Sequence, residues 1–169
     1  MYIENINNLS SSNFIETFKN IFEKTESITQ EVENLRPFKN KKHMIESFLR
    51  TFDLLKLKNK LQIINLHPDL GDKIKISQGL TKLSLEEQSL AGLNDCTEAE
   101  FNLFNKLNSS FKLKFDIPFI YAVRGKNKTD ILNEFKSRLS NSDIDLEINT
   151  SIEQVKRIAF LRLEELISG

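Results

Sequence analysis

The stretch Glu147-Ile148-Asn149-Thr150-Ser151-Ile152-Glu153-Gln154-Val155-Lys156-Arg157-Ile158-Ala159-Phe160-Leu161-Arg162-Leu163-Glu164-Glu165-Leu166-Ile167 carries apolar residues at Ile148, Ile152, Val155, Ala159 and Leu166. That spacing predicts one long amphipathic helix. The position completing the series is Arg162, which at about 100° per residue projects within about 40° of Ile148 and Leu166 and falls between Ile158 and Ala159. A charge is aimed at the core. An isolated guanidinium there costs several kcal/mol unless it is paired or meets an anion, so Arg162 is a candidate anion ligand. An ion pair with another inward residue, or snorkelling to the edge, would satisfy the same spacing. Arg157 falls on the opposite, solvated face.

The same periodicity recurs upstream. Phe14, Phe18, Ile21 and Phe22 follow Ser10-Ser11-Ser12-Asn13, with Glu16 three residues past Asn13, which predicts a capped helix over roughly 13 to 25. Met44, Ile45, Phe48, Leu49 and Phe52 make a second stripe, and Leu54, Leu57, Leu61 and Ile64 a third that runs to His67. Ser84-x-x-Glu87 and Thr97-x-x-Glu100 read as capping boxes, the first opening a helix to about Leu93, the second a helix with Phe101, Phe104 and Phe111. A further helix follows Thr129, with Ile131, Leu132, Phe135 and Leu139 inward. No period of 20 to 50 residues recurs and no low-complexity linker divides these segments. The reading is all-α, a single compact multi-helix domain over residues 1–169.

Composition agrees. Five Gly and three Pro in 169 residues are about 5% of the chain against roughly 12% in average usage, which argues against collagen-like, linker-like and turn-dense β architectures. With 39% apolar residues, 28% charged, and 24 basic against 24 acidic side chains, the chain is neither a disordered polyion nor a basic nucleic-acid binder. The single Cys96 cannot make an internal disulfide, and structural zinc is not expected. The longest uncharged apolar run, Ile117 to Val123, is far shorter than a membrane span. A cytoplasmic protein is the expectation.

Three other places break the pattern. Pro68 disfavours the α conformation at His67, so His67 should sit just beyond a helix carboxyl end, where the partial negative charge favours the protonated imidazole by up to ~2 kcal/mol. Proton transfer near neutral pH would suit it. Ile117-Pro118-Phe119-Ile120-Tyr121-Ala122-Val123 looks like a buried strand without a sheet partner. Its amides must be satisfied by loops and water, as in an ordinary connector, or be presented to a polar ligand. Gln88 is polar where an apolar partner often sits, so Glu87 and Gln88 face either a cap or a polar pocket.

Taken together, Arg36-Pro37-Phe38, His67-Pro68-Asp69-Leu70-Gly71, Ser84-x-x-Glu87-Gln88 with Ala91-Gly92-Leu93, Phe115-x-x-Pro118-Phe119, Arg138-Leu139 and Ile158-Ala159-x-x-Arg162-Leu163 resemble one family in order and spacing from about residue 14 to 166. That family is 2-oxo-4-hydroxy-4-carboxy-5-ureidoimidazoline (OHCU) decarboxylase, a carboxy-lyase of urate degradation. The resemblance implies an all-α fold, no cofactor or metal, a small-molecule substrate and a homodimer, with no nucleic-acid or membrane partner. It places proton transfer on His67 with Glu87 orienting it or a ring amide. It makes Pro68, Ser84, Gln88 and Arg162 pocket residues, and Phe119, Ile120, Tyr121, Ala122 and Val123 backbone contacts.

The implied chemistry explains so sparse a site. The substrate carries a carboxylate and a hydroxyl on one ring carbon and an imine on the next, so the electrons released with carbon dioxide flow into the imine. A proton on one face of the resulting enol then gives (S)-allantoin.

Two other readings share some residues. His67-Pro68-Asp69 after a helix bearing Lys56, Lys58 and Lys60 also looks like the loop of a J-domain co-chaperone, which is much shorter and leaves the inward Arg162 unexplained. A helical binding module that keeps the fold without the activity is the other.

Overall fold

In the computed structural model, which describes residues 1–71 and 80–168, the described residues form helices and no strand. The helices are α1 (Ile3–Asn7), α2 (Ser11–Phe18), α3 (Glu26–Glu33), α4 (Lys41–Asp53), α5 (Leu57–Leu66), α6 (Lys82–Leu90), a 3-10 turn (Leu93–Asp95), α7 (Glu98–Phe115), α8 (Lys128–Ser140) and α9 (Ile144–Leu166). They gather into two compact units, Met1–Ile63 with Lys156–Gly169, and Ile64–Val155. None of the described helices is long and apolar enough to cross a membrane.

The first unit is built on phenylalanines. Phe14 lies 4.9 Å from Phe18 and 6.5 Å from Phe48, ring centre to ring centre, and Phe22 stacks on Phe52 at 4.8 Å. All five rings are buried, so the helical spacing of Phe14 and Phe18 in α2 and of Phe48 and Phe52 in α4 is converted into packing, and α4 buries Met44, Ile45, Phe48 and Phe52 as its stripe predicts. Two boundaries differ from expectation. The helix expected over 13 to 25 ends at Phe18, and the chain turns through Lys24 at φ 48° before α3. The carbonyls of Asn20 and Ile21, which a continuing helix would have bonded to amides one turn on, instead accept from Arg162 Nη1 at 2.8 and 3.4 Å. The stripe from Leu54 to Ile64 is buried only at its far end: Leu54 caps α4 and is exposed, as is Leu57.

The second unit has its own aromatic core. Phe111 of α7 meets Phe115, Phe119 and Phe135 at 4.7, 5.2 and 5.8 Å, and Phe119 stacks on Phe135 at 3.8 Å. The capping box at Thr97 is present, with Thr97 Oγ1 accepting from the Glu100 amide and the Glu100 carboxylate accepting from the Thr97 amide. The one at Ser84 is not. Helix α6 begins earlier, Thr81 Oγ1 accepts from the Ser84 amide at 3.3 Å, and Ser84 lies inside the first turn.

Candidate active site

His67 follows the last residue of α5, its amide donating to the Ile64 carbonyl at 3.1 Å, and Pro68 turns the chain away. The loop that follows is held from three sides. Gln88 Oε1 accepts from the Gly71 amide at 3.2 Å while Gln88 Nε2 donates to the Asp69 carbonyl at 3.4 Å. Asn108 Nδ2 donates to the Leu70 carbonyl at 2.9 Å, and Lys112 Nζ pairs with the Asp69 carboxylate at 2.6 Å. Gly71 completes the turn at φ +71°, with the Phe104 ring so close that a β-carbon would sit 2.9 Å from its Cγ. Sequence reasoning singled out His67 and missed the supporting Asn108 and Lys112, whose partners lie 38 and 43 positions away.

Helix α6 is inverted relative to an ordinary amphipathic helix. Ser84, Glu87 and Gln88, at i, i+3 and i+4, are buried, while Leu85 and Leu90 are exposed. Burying three polar side chains and leaving two leucines in water runs against the hydrophobic effect, so the groups on this face need polar partners. Through Gln88 that face is bonded directly to the His67 loop.

A hollow of about 300 Å³ opens beside His67, lined also by Asn65, Asp69, Lys112, Asp116, Ile117 and Pro118. Asp116 ends α7 in the left-handed conformation, φ 56°, and directs the chain into the 117–123 segment. That segment is neither helix nor strand, and it is buried except at Tyr121, which is half-buried. Within the second unit, the hollow joins His67 to Ile117 and Pro118, and Gln88 of α6 is bonded to the loop after His67; Pro68, Ser84, Glu87, Gln88 and Phe119 to Val123 are not among the residues that line that hollow. Among the described residues, no three His, Cys, Asp or Glu side chains cluster as metal ligands would.

Arg162 belongs to the first unit and is wholly buried. Its Nη1 and Nη2 both donate to Glu23 Oε2 at 3.3 Å. Of the alternatives that spacing left open for Arg162, a buried ion pair is present. Glu23, a charge between Phe22 and the turn into α3, was the missed partner. Only the Ile21-Phe22 pair before it hints at burial, and Lys24, Thr25 and Glu26 after it point the other way.

The chain matches the family model described as OHCU decarboxylase over residues 7–164. It is 34% identical to a 2-oxo-4-hydroxy-4-carboxy-5-ureidoimidazoline decarboxylase of Amia calva over 167 residues, 99% of this chain and 95% of that protein. It is also 34% identical to a uric acid degradation bifunctional protein of Bacillus sp. (strain TB-90) over 98% of this chain, which spans only 32% of that longer protein. A crystal structure of OHCU decarboxylase in the presence of (S)-allantoin shares the fold, with a TM-score of 0.72 at 18% identity, over 89% of this chain and 96% of that one.

Proposed function

The chain belongs to the OHCU decarboxylase family, and from that membership we propose that it is a carboxy-lyase converting 2-oxo-4-hydroxy-4-carboxy-5-ureidoimidazoline to (S)-allantoin and carbon dioxide in urate degradation, without a cofactor. The observation that carries the reading is the inverted face of α6, with Ser84, Glu87 and Gln88 buried and bonded through Gln88 to the His67 loop. A polar lining beside an imidazole suits a substrate made of ring amides, a ureido group and a carboxylate.

In this mechanism the bond from the ring carbon to the carboxylate breaks, and its electron pair forms a double bond to the neighbouring carbon while the imine nitrogen takes up the displaced electron pair and a proton from water. His67 then takes the hydroxyl proton and delivers a proton to the former imine carbon on one face. Positioned acid–base work of this kind is worth roughly a hundredfold or more. Glu87 orients His67 or a ring amide. Ser84 and Gln88 meet ureido and ring amides, Pro68 closes the wall beside His67, and peptide groups of Phe119 to Val123 supply further donors and acceptors. Arg162 offers a cation to a substrate oxygen. The family resemblance supports that role, and the Glu23 pair would hold its guanidinium in place. Orientation by these groups sets the stereochemistry.

The reading treats the chain as one functional domain, because the family match runs from 7 to 164 through both units. It also makes the enzyme a cytoplasmic homodimer, on the family resemblance and the lone cysteine. Sedimentation at micromolar concentration checks the dimer, and a monomer rejects it. The activity is tested by circular dichroism of allantoin formed from freshly generated substrate. An enantiomeric excess of (S)-allantoin, formed faster than the spontaneous decay, is expected. Product that stays racemic at the spontaneous rate overturns the assignment.

A further inference from the structure

Among the described residues the 119–123 segment has no neighbouring strand, yet two side chains bond to its backbone. Arg138 Nη1 donates to the Ile120 carbonyl at 2.5 Å, and Gln154 Oε1 accepts from the Ala122 amide at 3.0 Å. Arg138 and Gln154 thus take up one peptide group each, the carbonyl of Ile120 and the amide of Ala122.

Arg138 is fixed for this task. Its Nε donates to Glu147 Oε1 at 3.0 Å, its Nη2 donates to the same oxygen and to Ser151 Oγ at 3.0 Å, and its guanidinium lies over the Phe119 ring, 4.6 Å from the centroid. Glu147, Ser151 and Gln154 are spaced i, i+4 and i+7 on α9, so one helix face carries both the anchor of Arg138 and the second clamp. Among the described residues, no protein group pairs with the amides of Phe119, Tyr121 and Val123. The Val123 carbonyl accepts from the Lys126 amide at 2.9 Å and closes the segment.

We propose that Arg138 and Gln154 are positioning residues that clamp Ile120 and Ala122, so that the amide N–H groups of Phe119, Tyr121 and Val123 are the ones offered to the substrate. This rests on the decarboxylase reading and sharpens it: Ile120 and Ala122 bind the protein, and their odd-numbered neighbours bind the ligand. The clamp touches no reacting atom, so its loss lowers binding more than turnover.

Gln154 gives the test, because it is neutral and half-buried and its replacement leaves no buried charge. Gln154→Met removes the acceptor and Gln154→Glu keeps one. The steady-state constants for (S)-allantoin formation are measured on the parent and both variants, with backbone hydrogen exchange over 119–123 as a second readout. Gln154→Met is expected to raise KM about tenfold with kcat changed by less than about threefold, and to speed exchange at Ala122, whose amide loses its acceptor. Gln154→Glu should restore most of the KM. A parallel rise in KM is expected for the double variant Arg138→Met/Glu147→Leu, which avoids stranding Glu147. An unchanged KM in Gln154→Met beside an active parent overturns the clamp, as does a lowered melting temperature with both constants intact. A parent that forms no (S)-allantoin above the spontaneous rate overturns the reading beneath it instead.

Discussion

Glu23 and Arg162 form a buried pair across 139 positions of sequence, the carboxylate accepting from both terminal nitrogens of the guanidinium at 3.3 Å. Neither side chain is open to water. Breaking such a pair from one side leaves an uncompensated charge, which costs more than the pair itself contributes. Arg162→Leu should therefore destabilise the protein by roughly 3–5 kcal/mol, measured by urea unfolding, and Glu23→Leu/Arg162→Leu should recover most of that loss. A single variant as stable as the parent would reject a structural role for the pair.

His67→Asn keeps a polar ring-sized group beyond α5 but has no titratable nitrogen. The variant should fold as the parent does, with its circular dichroism and melting unchanged, and lose at least about a hundredfold in kcat. Parental rates of (S)-allantoin formation in this variant would remove His67 from proton transfer.

Two glycines with positive φ differ in what surrounds them. Gly71 sits at φ +71° against the Phe104 ring, whereas Gly92 sits at φ +76° with nothing within 4 Å of its missing β-carbon. Gly92→Ala should cost about 1 kcal/mol for the left-handed backbone alone. Gly71→Ala adds overpacking and should cost about 2–4 kcal/mol, and it should also impair activity by displacing the His67 loop. Equal destabilisation of the two variants would mean that the Phe104 contact relaxes freely.

The pH dependence of stability has a predictable sign at both ends. Hydrogen bonds from Ser11 and Arg36 hold Glu33 below its ordinary value of 4.5, and Lys128 with the Thr97 amide does the same for Glu100. Carboxyls lowered in the folded state stabilise it above that ordinary value, and the contribution is lost as pH falls through the lowered one. Lys128, raised above 10.5 chiefly by Glu100, contributes below 10.5 and ceases to as pH climbs through its raised value. Glu33→Gln/Glu100→Gln should flatten the decline in urea midpoint between about pH 5 and pH 3. An undiminished slope would place the acid sensitivity in other carboxyls.

Much was already present in the order of residues. Periodic phenylalanines, the Thr97 capping box and Pro68 after α5 dictate local structure, because each acts through neighbours within one or two helical turns. The odd residues at His67, Gln88 and Arg162 were visible as violations of the same rules. Less visible was where helices stop: α2 ends at Phe18, and the Asn20 carbonyl beyond it accepts from Arg162, 142 positions away.

Sequence alone determined that this chain is helical, which faces are apolar and which polar residues stand in the wrong place, since helix period and capping are properties of short segments. Tertiary structure alone decided what those misplaced residues meet, Glu23 for Arg162 and the Asp69 and Gly71 backbone for Gln88, and that Arg138, which periodicity did not flag, meets the Ile120 carbonyl. A buried polar group must find a partner, but no local rule says where in the chain that partner lies.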